Sequence, residues 1–63
     1  YMRFINKKIS ESIITLEKIG WKLYRTLNFE DKLRSANYFF ENDNIKLVIY
    51  TENGIIRTME NFD

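Results

Sequence analysis

Cysteine, histidine and proline are absent from this 63-residue sequence, and glycine occurs only twice. Each absence removes a class of chemistry. Without cysteine there is no disulfide staple and no thiol nucleophile; without histidine there is no zinc finger, imidazole base or Ser-His-Asp relay. A metal would have to be held by carboxylates and carbonyls alone. Asp43-Asn44-Ile45-Lys46 lacks the alternating oxygen ligands and closing Glu of a calcium loop, so neither metal nor other cofactor is expected. Phosphate-cradling loops need clustered glycines, whereas Gly20 and Gly54 stand in separate segments with a structural reason for each. The adjacent carboxylates Glu30-Asp31 fall in a polar stretch where water keeps both ionised. No catalytic residue is assigned, and the chain is read as a non-enzyme without a small-molecule substrate.

Long hydrophobic runs are also missing. The longest, Leu47-Val48-Ile49-Tyr50, is four residues, against the ~20 needed to span a bilayer. The basic N-terminal residues are not followed by the apolar stretch and small-residue site of a secretory signal. A cytoplasmic protein with no membrane association is therefore expected.

What is present suffices for a small core, since 44% of residues are apolar and 16% aromatic, a composition that opposes disorder. With no repeat, linker or low-complexity stretch, one domain over residues 1–63 is expected. A chain this short buries only about 60% of the surface it exposes when unfolded, and its total stability should be roughly 3–9 kcal/mol. Charge is unevenly spread. Residues 1–34 carry eight basic side chains against four acids, net +4, whereas residues 35–63 carry −3, which together give the formal +1. Such a balance does not by itself call for nucleic acid.

Residues 1–5 fit either a short strand or a lead-in to a helix. From Asn6 to Ile19 the residues Ile5, Ile9, Ile13, Leu16 and Ile19 form one helical stripe, with Asn6 or Ser10 as the cap and Gly20 as the left-handed end. Ile14 lies off the stripe. After Gly20 the period becomes two, which predicts strands at about 21–27, 34–41, 45–50 and 55–60. The last two are joined by a turn for which two registers compete. A two-residue Asn53-Gly54 loop sets Ile49 against Thr58 and Leu47 against Glu60. A three-residue loop with Gly54 as a left-handed bulge sets Leu47 against Met59 and Lys46 against Glu60, and is preferred because it groups apolar residues. The expected fold is α+β, one N-terminal helix on a four-stranded antiparallel meander, with Trp21, Leu23, Ala36, Tyr38, Phe40, Ile45, Leu47, Ile49, Ile55 and Met59 facing the helix.

Leu16-Glu17-Lys18-Ile19-Gly20-Trp21-Lys22-Leu23-Tyr24-Arg25 resembles the start of a HicA-like ribonuclease toxin, in which an amphipathic helix, a Gly plus an aromatic and an Arg-bearing strand follow one another. The family's catalytic histidine would fall in the next loop, where this sequence has Asn28-Phe29-Glu30-Asp31. The resemblance implies a related architecture without the nuclease chemistry.

The outer sheet face should then collect Tyr24, Phe39, Val48, Tyr50 and Ile56, ringed by Lys22, Lys46 and Glu60, unless a terminal segment with Phe4 or Phe62 covers it. An exposed patch of this kind marks a contact surface. Two functions follow from it. One is a small regulator or inhibitor, of the kind phages and mobile elements encode, that acts by protein contact or self-association through this face or a sheet edge. The other is a nucleic-acid-binding domain, with Tyr24, Phe39 and Tyr50 stacking bases and Lys22, Arg25 and Arg34 on the phosphates.

Overall fold

The period-two segments become four strands in a computed structural model of the chain, which describes residues 2–62. These are β1 (Lys22–Asn28), β2 (Ser35–Asn42), β3 (Ile45–Glu52) and β4 (Ile55–Phe62), in a single antiparallel sheet of order β1-β2-β3-β4. A 3-10 turn at Met2–Phe4 and the helix α1 (Ile9–Lys18) precede them. The expected α+β arrangement, one helix followed by a four-stranded antiparallel sheet, is the one observed. Of the undecided first residues, Met2–Phe4 are helical and bury Phe4, while Tyr1 lies outside the described residues.

The helix begins at Ile9 rather than Asn6 because the intervening backbone is held by β4. Asn6 N–H donates to the Ile56 carbonyl (2.8 Å), Ile56 N–H to that of Lys7 (2.9 Å), and Ile9 N–H to that of Gly54 (2.8 Å). Asn6 itself has φ 69°, outside the helical region. Neither Asn6 nor Ser10 is the cap; Lys8 holds that position without a side-chain cap bond. At the other end Gly20, at φ 102°, donates its N–H to Glu17 O (3.2 Å), and Trp21 N–H reaches Leu16 O (3.0 Å). This bond pair is a Schellman motif, which turns the chain from helix into β1.

The core lies between α1 and one sheet face. Phe4, Ile9 and Leu16 meet Phe40, Leu47, Ile49 and Ile56, with Ile5, Ile13, Trp21, Leu23, Tyr38 and Met59 around them. Ile14 and Ile19 point to solvent. Two assignments to this face need correction. Ile45 is 56% exposed beside the β2–β3 turn, and Ile55 gives up its inner place to Ile56, which is 0% exposed.

The second correction follows from the register of the last hairpin. Glu52 pairs with Ile55, so the loop is the two-residue Asn53-Gly54, both at positive φ (53° and 78°) as a type I′ turn requires. The three-residue loop is not formed. The register then shifts between Tyr50 and Thr51, leaving Arg57 as an extra residue in β4, so that Ile49 faces Met59, Tyr50 faces Thr58 and Thr51 faces Ile56. The bulge gives what the rejected two-residue register lacked, apolar partners on the inner face. Arg57 is anchored by Glu52 (3.1 Å) and the Asn6 side-chain oxygen (3.2 Å).

Leu47 is 0% exposed on a central strand, so Leu47→Asp should abolish cooperative thermal unfolding, because an unpaired buried carboxylate costs more than this chain's stability. The glycines give a finer test. A Cβ on Gly54 would meet nothing within 4 Å, whereas one on Gly20 would lie 3.1 Å from the Asn42 amide nitrogen. Gly54→Ala should lose only the backbone preference, about 1–2 kcal/mol. Gly20→Ala should lose more in the same denaturant titration; equal losses would contradict the packing at Asn42.

Candidate functional site

The sheet face away from α1 is built by a second bulge. In β1, Leu23 opposes Phe40 and Arg25 opposes Phe39, which leaves Tyr24 as an additional residue between them. A strict strand would turn one of Tyr24 and Arg25 inward; here both reach the ring of Phe39. The Tyr24 and Phe39 centroids lie 6.3 Å apart at 50°, and the Arg25 guanidinium carbon is 5.9 Å from the Phe39 centroid. Phe62 meets Phe39 edge to face at 5.9 Å and 84°, and Lys46 Nζ lies 5.9 Å from the Tyr24 centroid. The Phe39–Phe62 pair has the edge-to-face geometry that rings favour, the Tyr24–Phe39 pair is tilted, and both cations lie just inside the ~6 Å reach of cation–ring attraction.

Cross-strand pairing arranges the face in rows that run from β1 to β4. Three of them cross all four strands: Lys22, Glu41, Lys46, Phe62; then Arg25, Phe39, Val48, Glu60; then Leu27, Asn37, Tyr50, Thr58; a further row, Ser35, Glu52 and Ile55, spans β2 to β4. No other element among the described residues lies over them, since α1 and Met2–Phe4 pack on the inner face. The side chains instead shield one another. Val48, at the centre, is only 4% exposed, Phe39, Tyr50 and Phe62 are half-buried, and Tyr24 is 42% exposed.

The charges on this face are ordered. A hydrogen bond with Glu60, then partial burial and the Glu60 charge, raise the Tyr50 hydroxyl above its ordinary pKa of 10.0. Among the described residues the one ion pair within 4.0 Å joins Arg57 to Glu52. Lys22, Arg25 and Lys46 therefore have no carboxylate at ion-pair distance among those residues.

Of the residues expected to make a contact, Tyr24, Phe39, Val48 and Tyr50 do share this face. Ile56 does not, because the Arg57 bulge turns it into the core. Arg25 lies against the Phe39 ring and Lys22 shares the face opposite Glu41, but Arg34 sits in the β1–β2 loop at the opposite end of the strands, where its carbonyl and that of Leu33 accept the Asn53 N–H (3.4 and 2.8 Å). Phe62 is the member that sequence reading left as a mere cover. Its place follows once the Asn53-Gly54 turn and one bulge set the β4 register.

Elsewhere, an open hollow of about 300 Å³ between the first turn and α1 is lined by Arg3, Phe4, Lys7, Glu11, Ser12 and Thr15. In the Glu30-Asp31 pair, Asp31 accepts the Ser35 N–H (2.9 Å), which holds its carboxyl below the ordinary 3.8. No group of three or more metal-binding side chains occurs among the described residues, and no described helix is long and apolar enough to cross a membrane. No family model, curated protein or solved structure matches the chain, so the likeness to HicA-like toxins rests on Leu16–Arg25 alone.

Removing the acceptor tests the outer-face electrostatics. In Glu60→Gln the Tyr50 titration, followed by phenolate absorbance, should move down toward 10.0, because its leading cause is lost. A raised folded pKa contributes stability that is present below the unfolded value and lost as pH rises through the folded one. The wild type should therefore lose stability relative to Glu60→Gln above about pH 10. An unmoved Tyr50 titration would place Glu60 elsewhere.

Proposed function

We propose that the chain is a non-catalytic cytoplasmic binding module, a small regulator or inhibitor that acts by protein contact through the outer sheet face. The observation that carries this reading is the cluster Tyr24, Phe39 and Phe62, with Arg25 and Lys46 against its rings, on a face that no helix among the described residues covers. Tyr, Phe and Arg are the side chains enriched at protein interfaces, where large rings give contact area at small entropic cost and a few of them carry most of the affinity. The face also combines an apolar centre with a charged rim, the general anatomy of an interface.

Nucleic-acid binding is the second reading, favoured by Lys22, Arg25 and Lys46, which have no ion pair among the described residues, with Arg25 and Lys46 against aromatic rings. Glu41 and Glu60 in the same rows weigh against an anionic backbone. Salt distinguishes the two. Phosphate contacts weaken steeply between about 50 and 200 mM salt, whereas an apolar protein contact does not.

The test uses the immobilised chain in a nuclease-treated extract, with Phe39→Ser/Tyr50→Ser as control. The double variant should still unfold cooperatively, because its core is on the other face, and should lose the captured protein, whether a copy of the chain or another species. Hot-spot aromatics cost about 2 kcal/mol or more each, roughly thirtyfold in affinity. Undiminished capture by the folded variant would move the contact elsewhere. Loss of cooperative unfolding would make these residues a second core. Binding of a fluorescent oligouridine that collapses with salt would favour the nucleic-acid reading.

A further inference from the structure

The outer face carries its charges in an order that complements itself. The first row runs cation, anion, cation, ring (Lys22, Glu41, Lys46, Phe62), and the second runs cation, ring, aliphatic, anion (Arg25, Phe39, Val48, Glu60). Reversing either row turns it into its own partner. A twofold axis that lies between two facing sheets, parallel to the strands, performs that reversal: it sets β1 over β4 and β2 over β3 and keeps each row over itself.

We infer that the occupant of this face is a second copy of the chain, related by that axis. The inference rests on the reading of the face as a protein contact and names the partner. Arg25 then faces Glu60 of the second copy, Glu41 faces its Lys46, Lys22 faces its Phe62 ring, and Phe39 faces its Val48. In the third row Asn37 comes over the Tyr50 of the second copy. The cations that lack an ion pair among the described residues thus acquire a carboxylate or a ring.

Two other twofold arrangements fare worse on the same grid. An axis along the rows would put Arg25 on Arg25 and Glu60 on Glu60, and like charges in apposition are the usual means by which interfaces reject a wrong geometry. Joining β1 edge to edge with the β1 of another copy would gather Lys22 and Arg25 from both chains. Dimensions also suit the arrangement. Facing sheets pack about 10 Å apart with strands within about 30° of parallel, a gap and offset that Arg, Lys and Glu side chains can bridge. Four strands of about eight residues present a face of roughly 20 by 26 Å, so two such faces bury on the order of 1,000 Å². That is near the lower bound for a specific interface, so the dimer should dissociate on dilution.

Sedimentation equilibrium of the purified chain, with folding of every variant checked by circular dichroism, tests both the partner and the axis. Wild type should rise from 7.7 kDa toward twice that mass as concentration increases to about 1 mM. Arg25→Glu alone and Glu60→Arg alone each create two like-charge contacts per dimer, and each should weaken dimerisation by about tenfold or more. Mixing the two variants restores both pairs across the axis, so the mixture should form a one-to-one heterodimer, and Arg25→Glu/Glu60→Arg in one chain should recover the homodimer. Wild type that remains at 7.7 kDa throughout would overturn self-association; retained capture of a different protein by the outer face would then leave the broader reading standing. A wild-type dimer that Arg25→Glu does not weaken, or variants that fail to rescue each other, would overturn the axis.

Discussion

A residue in a β-strand can change sides of its sheet only if the strand takes in an extra residue, and both outer strands of this protein do so. In β1 the extra residue is Tyr24, which leaves Leu23 beside Phe40 in the core and turns both Tyr24 and Arg25 toward Phe39. In β4 it is Arg57, which places Ile56 in the core and Met59 opposite Ile49, while Glu60 and Phe62 go to the other side. The two central strands pair without interruption. Every contact on either face depends on this pairing and its two adjustments.

The bulges matter because the chain has one helix for two faces. A ten-residue helix covers the inner side, and the N-terminal segment completes that cover by bonding to the start of β4. The outer side has an apolar centre of its own, closed over Val48 by neighbouring side chains. Aromatic edge-to-face packing and cations lying on rings reduce the cost of leaving such a surface in water, but they leave it well suited to association. Fold and proposed function therefore meet in the same residues.

The helix, the four strands and most of the inner face were legible because hydrophobic period is a strong local signal: five-residue stretches such as Ala36–Phe40 already decide strand and side. What was not legible came from contacts distant in sequence. Asn6–Lys8 has helix-compatible spacing, yet its backbone is taken by Gly54 and Ile56, and no local pattern reports that. In the last hairpin the Asn53-Gly54 pair was the stronger signal. The apolar pairs that a three-residue loop would provide come instead from a bulge beyond the turn. The same register puts Ile56, not Ile55, on the inner face. The aromatic cluster was partly visible, in Tyr24, Phe39 and Tyr50, but Phe62 and the row order required the true register. Arg34 looked equivalent to Arg25 in composition and differs only in which end of the sheet its loop occupies.

The proposed self-association places the contact on the outer sheet face and not on the helix. Concentration-dependent amide chemical shifts of the isotope-labelled wild type, measured from dilute to millimolar solution, address it residue by residue. Association through the outer face predicts progressive shifts at Arg25, Phe39, Val48 and Glu60, with Ser10, Ile14 and Glu17 on the exposed side of α1 unmoved. Shifts confined to α1, or none anywhere at millimolar concentration, would contradict self-association through this face.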